Sequence, residues 1–180
     1  MPLAAQITDD LNEHFSLGSQ RSLEQDVGFG LRQIVDIALK ALSPGINDTT
    51  TSVICIDYLG SLVAQLAAAY FPGTLRTGDE DDRATPVRVV AIQPSFAGYL
   101  DTAFDQIRVS GEGNVAVYLR LLTALGTAAR TDDPARRDAL RAHVGRIREA
   151  AARTLDTDYE RDQVRAHANE VEKLLTGEKT

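Results

Sequence analysis

Residues 41–51 read ALSPGINDTTT and lie between two apolar stretches. Ser43 precedes a proline, which pushes it out of the α region. Gly45 suits a left-handed turn, and Asn47 or Asp48 suits the N-cap of a new helix. The stretch therefore reads as stop, reverse, cap and restart: the turn of an αα-hairpin. That reading decides the fold, because almost everything on either side carries helical period.

Upstream, Leu31, Ile34, Val35, Ala38 and Leu42 recur at helical spacing. A capping box of Ser22 and Gln25 is expected to open this helix. Leu3, Ile7 and Leu11 mark a short first helix ending near Phe15, before Gly18. Downstream, the second helix of the hairpin runs to about Phe71 and stops at Pro72-Gly73.

Residues 72–94 break the period. GDEDDRATP is a polar acidic loop, and VRVVAI (87–92) is strand-like, with Thr74 to Thr77 able to pair with it as a small hairpin. Helical period then returns with the stripe Phe96, Tyr99, Leu100, Ala103, Phe104 and Ile107. Tyr118, Leu121, Leu122 and Leu125 form the next. Asp133-Pro134, a cap followed by a first-turn proline, opens a helix with Leu140, Val144, Ile147 and Ala151. Thr157 and Glu160 form a further capping box before Val164, Ala168, Val171 and Leu175. The expected architecture is a single all-α domain over residues 1–180. It holds about six or seven helices in a bundle, with an N-terminal helix and connector (1–20), a small β-ribbon (72–94) and a frayed tail (176–180).

Glycines inside helices cost roughly 1 kcal/mol each relative to alanine, so several should mark close backbone approach. Reversal near Gly45 places Gly30 beside Gly60. It also places Asp57, the only charge between Thr49 and Phe71, opposite Ile34 and within a turn of Arg32 and Gln33. A buried carboxylate there must be paired or hydrogen-bonded.

The bulk properties narrow the function classes. The chain has 180 residues, 43% apolar and 25% charged, enough for one domain with a real core. A net charge of −7 and a pI of about 4.9 work against a nucleic-acid binder, which needs a basic face. A lone cysteine, Cys55, in the apolar run ICID suits a small buried hydrophobe. MPLAAQITDD has no charged n-region or apolar h-region, so no secretory signal is read and a cytoplasmic placement is expected. Thr49–Phe71 is long enough to span a bilayer. Asp57, Gln65, its hydroxyl residues and the lack of Lys/Arg anchors flanking its start point instead to a central buried helix, with no membrane span in this chain.

No enzyme signature is present: there is no GxSxG, phosphate-binding loop or dinucleotide fingerprint. The three histidines, His14, His143 and His167, and the one cysteine show no metal-ligand spacing. No metal or cofactor is expected. If the last two helices form a hairpin turning near Asp156, His143 and His167 fall close along the axis. They would then be a coupled pair or, more simply, two independent rings at the seam. The basic helix 136–153 is expected to pair with the acidic helix that follows, rather than with an anionic lipid surface.

The stretch RSLEQDVGFGLRQIVDIALKALSPGINDTTTSVICIDYLG (21–60) resembles a family of predicted bacterial membrane proteins defined only as a domain of unknown function. PSFAGYLDTAFDQIR (94–108) resembles that family's next block, and the resemblance covers most of residues 15–125. Thr49 stands where the family usually has proline. The resemblance implies a helical C-terminal part that in longer relatives follows membrane helices and a β-rich part. It implies no activity.

The leading expectation is a non-enzymatic interaction or regulatory domain that self-associates as a homodimer or higher oligomer, with membrane anchoring only in longer relatives. The alternative is a binder of small anions, or an enzyme, with its pocket at the Ser43–Asp48 turn. The polar residues offered to such a ligand are Arg21, Gln25, Asp26, Arg32, Gln33, Ser43, Asn47, Asp48 and Asp57. Three of them also have a structural use: Arg32 with Asp36 and Lys40 in a helical ion-pair ladder, and Gln25 and Asp48 as capping residues.

Overall fold

The computed structural model describes residue 12, residues 26–76 and residues 89–177. The expected first helix, the Ser22–Gln25 capping box with Arg21, the acidic loop and strand start at 77–88 and the last three residues lie outside the described residues. The described fold is all-α. Its elements are α1 (Val27–Leu42), α2 (Thr49–Ala68), β1 (Leu75–Arg76), β2 (Val89–Val90), α3 (Phe96–Ser110), α4 (Val115–Ala128), α5 (Pro134–Thr154) and α6 (Asp158–Thr176).

Helix α1 starts later than the capping box suggests. Its N-cap is Asp26, whose carboxylate accepts from the Phe29 N–H at 3.0 Å. It ends at Ser43, ahead of Pro44, where the Ser43 hydroxyl donates to the Lys40 carbonyl at 2.7 Å. The chain then reverses as the sequence implies. The N–H groups of Ile46 and Asn47 both donate to the Ser43 carbonyl, and Asp48 N–H donates to Ala41 O at 2.7 Å. The left-handed residue is Asn47 (φ 49°), not Gly45. The change of sign is deferred to the residue before the cap, and asparagine is the non-glycine residue that tolerates it best.

The expected stripes are the buried faces. Leu31, Val35 and Ala38 of α1, Leu100, Ala103, Phe104 and Ile107 of α3, and Tyr118, Leu121, Leu122 and Leu125 of α4 are all buried. So are Leu140, Val144, Ile147 and Ala151 of α5 and Val164, Ala168, Val171 and Leu175 of α6. Burying one large aliphatic or aromatic side chain contributes about 1.5–3 kcal/mol, so these faces supply the driving force for the bundle.

Side-chain contacts fix the helix directions. Asn114 at the start of α4 donates to Thr49 Oγ1 at the start of α2 (2.8 Å), so these helices run the same way. Tyr118 near the start of α4 bonds Thr154 at the end of α5, so those two are antiparallel. Successive helices alternate in direction, and α2 packs against both α1 and α4.

The principal correction concerns what lies against α2. A Cβ built on Gly60 would meet the Ala124 Cβ at 2.8 Å, so the close approach is to α4 and not to Gly30. Hairpin arithmetic assumes the helix next in sequence is the tightest neighbour; here the helix two places on takes that position. Helix α2 is long and apolar enough to cross a membrane by length and composition. In this fold it buries Cys55, Ile56, Leu59, Gly60 and Val63 within the bundle and keeps Asp57, Ser61 and Gln65 outward.

The ribbon forms as expected but is minimal. Leu75 pairs with Val90 and Arg76 with Val89, antiparallel, and Ala91 N–H extends the ladder to Thr74 O at 2.8 Å.

Candidate functional site

The described polar residues expected at the hairpin turn do not converge on one pocket; several serve the backbone locally and others reach different helices. Asp48 caps α2, its carboxylate accepting from the Thr51 N–H at 3.0 Å and the Thr51 hydroxyl at 2.5 Å. These hydrogen bonds hold the Asp48 carboxyl below its ordinary pKa. The carboxylate thus occupies the helix-start N–H that an incoming anion needs. Ser43 is turned to Lys40, Asn47 makes the left-handed bend, and Asp26 caps the far end of α1. Gln33 lies on the exposed side of α1.

Arg32 reaches Gln106 Oε1 of α3 at 2.8 Å, so it joins two helices instead of starting an ion-pair ladder with Asp36. Asp57 is half exposed, at 49%, and pairs with Arg120 Nε at 3.3 Å. Its expected burial beside Arg32 and Gln33 is overturned. The apolar run around it is longer than the buried face of the helix, and Asp57 falls on the outward side.

A cluster the sequence pattern did not single out lies where α3 meets α5. Asp101 and Asp105, four residues apart, share one edge of α3. His143 of α5 is only 3% exposed and packs edge-on to Phe104, with ring centroids 6.5 Å apart. Its Nε2 is 3.1 Å from Asp101 Oδ1, and its Nδ1 is 4.0 Å from Asp105 Oδ1. Arg146, one turn further along α5, places Nη1 at 2.8 Å from Asp101, 3.1 Å from Asp105 and 3.3 Å from His143 Nε2. Burial holds the His143 pKa below its ordinary value, helped by Arg146 and opposed by Asp105 and Asp101. The Arg146 hydrogen bond, against desolvation and with support from His143, holds Asp101 low. The sequence signal was the i, i+4 aspartate pair flanking the cleanest stripe, with His143 three residues before an arginine.

One ligand atom each from Asp101, Asp105 and His143 lies within 4.8 Å of the others, a spacing that suits a metal ion. However, the Arg146 guanidinium already stands among all three. Its fixed positive charge satisfies the carboxylates, so as built the cluster is an ionic clamp between α3 and α5.

The two remaining expectations for the C-terminal helices resolve differently. His167 bonds Thr123 Oγ1 of α4 at 3.2 Å and pairs with Glu170, so the two described histidines have separate surroundings. Of the α5 arginines, Arg148 does pair with Glu172 of α6, at 2.9 Å. Arg146 turns to α3, Arg153 to Glu112, and Arg136 to the end of α2, so the basic helix serves several neighbours. Arg136 donates to the carbonyls of Leu66 (3.2 Å), Ala67 (2.7 Å) and Ala69 (2.8 Å), with its guanidinium over the Phe71 ring.

The family model described as Predicted membrane protein (DUF2254) matches residues 3–127. The chain is 37% identical over 152 residues to uncharacterised proteins of Mycobacterium bovis and Mycobacterium tuberculosis. The match takes in 84% of this chain and 28% of each relative, so the chain spans little more than a quarter of their length. No solved structure matches it. The family model covers well over half of the chain, including the hairpin and the Asp101–Asp105 helix, and the chain belongs to the family of predicted membrane proteins DUF2254.

Proposed function

We propose that this domain is a non-enzymatic interaction module that self-associates through the β-ribbon. In longer relatives it adjoins the membrane-anchored parts. The observation that supports this is a group of large apolar side chains left in water around the ribbon. Tyr70 is 86% and Ile92 97% exposed, and Leu75 and Val90 are exposed as well. Leu75 and Val90 are directly paired across the strands, so their side chains share a face, and Ile92 follows Val90 at the two-residue period. Scattered exposed apolar residues are ordinary, but Leu75, Val90 and Ile92 side by side on one face of a ribbon mark an interaction surface.

The ribbon's weakness adds to the case. Among the described residues, β1 and β2 pair only with each other, and an isolated two-stranded ribbon is marginal in water. Pairing with the same ribbon of a second copy would bury Leu75, Val90 and Ile92 and satisfy the edge. Size-exclusion chromatography with light scattering tests this. The expected mass is at least twice the 19.5 kDa of one chain, falling toward one chain in Ile92→Asp and Tyr70→Ser. A monomer mass for the unaltered protein at high concentration overturns the proposal.

A further inference from the structure

A groove of about 750 Å³ opens along α4 and α6, far from the hairpin turn in sequence. The two helices run the same way there: Thr123 faces His167, and Gly126 faces Val171. A Cβ on Gly126 would come within 3.4 Å of Val171 and 3.8 Å of Leu174, so the bare glycine backbone forms the floor on which these side chains lie. Ala64 of α2 and Ala129 complete an apolar lining. The Thr123 and Thr127 hydroxyls are returned to the Leu119 and Thr123 carbonyls, both at 3.0 Å, and leave no unmet demand in the groove. Its volume lies within the range of small-molecule sites, which are mainly apolar with a few placed polar groups.

The polar groups stand at the two ends and differ in sign. At one end Glu170 accompanies His167. At the other, past the end of α4, Arg130 is exposed and has no hydrogen bond or ion pair with any described residue. An unpaired guanidinium at the rim of an apolar groove complements a single anionic head. The carboxylate of Glu170 excludes the opposite orientation.

We infer that the groove binds an alkyl chain ending in one anionic head, with the head at Arg130 and the chain over Gly126 toward Thr123. The size of the groove, that of a site for one small molecule, commits the proposal to a free fatty acid. Calorimetric titration with sodium decanoate below its micellar range tests this, with co-sedimentation on phosphatidylglycerol vesicles as the contrast. Saturable decanoate binding supports the inference; binding to vesicles without binding of decanoate overturns it.

Arg130→Glu, at an exposed position, is expected to weaken binding by about tenfold or more, the loss of one charge-assisted contact, and to leave the affinity for neutral decanol unchanged. Ala64→Phe, which fills the groove, should weaken both ligands, with circular dichroism confirming that each variant folds. No saturable binding of decanoate overturns the inference, as does binding that neither variant alters. A groove closed by a second copy, seen as a dimer that Ala64→Phe dissociates and decanoate does not perturb, also overturns it.

Discussion

Gly60 of α2 and Ala124 of α4 meet without room for another atom: a Cβ on Gly60 would stand 2.8 Å from the Ala124 Cβ and 3.2 Å from its Cα. Neither of those atoms is the free end of a flexible chain, so the helices themselves must separate to admit one. Replacing Gly60 by alanine recovers roughly 1 kcal/mol of helix propensity but overpacks the contact, which costs about 1–3 kcal/mol. The overlap wins. Gly60→Ala is expected to lower the urea midpoint, and Gly60→Val to lower it further.

The ionic clamp makes stability depend on pH in a defined window. The pKa of His143 in the folded protein is below its ordinary value, chiefly because burial disfavours the charged ring. The unfolded chain therefore binds more protons between the two values, and stability rises with pH there. This contribution is complete above the unfolded value, about 6.5, and is lost as pH falls below it. The melting temperature should drop on acidification from neutral pH, and His143→Gln should flatten that dependence. Asp101, whose carboxyl is held low, adds a separate loss only at more acidic pH.

Arg136 supplies three donations to the carboxyl end of α2 from a different helix. Arg136→Ala leaves those carbonyls to whatever water reaches them and removes the stacking on Phe71, an expected cost of about 1–3 kcal/mol. Arg136→Lys should recover only part of it, since an ammonium lacks the planar fork that spans several acceptors. Chemical denaturation of the three proteins checks the order.

Asp57 should matter little. Its pair with Arg120 is half in water on both sides, where such pairs contribute about 0–1 kcal/mol and weaken with salt. Asp57→Asn is expected to shift stability by less than about 1 kcal/mol, and raising the salt concentration should erase the shift. A loss of several kcal/mol would restore the buried carboxylate inferred from sequence alone.

The contrast between these residues shows what was legible in the sequence. Faces were legible: the stripes of α3 to α6 became the buried surfaces because helical period maps directly onto one side of a cylinder. Local stops and starts were legible too, since Asp48, Asp133 and the Thr157–Glu160 pair cap through bonds spanning only two or three residues. Partners across helices were not. Gly60 met Ala124 instead of Gly30, and Asp57 met Arg120 instead of Arg32 or Gln33, because the packing order of the helices decides neighbours and leaves no periodic trace. The His143 clamp was hidden for the same reason: its members are about forty residues apart.

The Arg136 contacts also carry a consequence for the order in which the chain folds. They join groups 69 and 70 positions apart in sequence. They can form only once α3 and α4, which lie between, have folded back and brought α5 alongside. Closing so long a span is entropically costly before other contacts hold it. The last turn of α2 is therefore expected to be sealed late in folding and to loosen before the centre of that helix. Amide exchange at Ala67 to Ala69 should run ahead of exchange at Ile56 and Leu59 in the same helix, and Arg136→Ala should widen that gap without touching the helix centre.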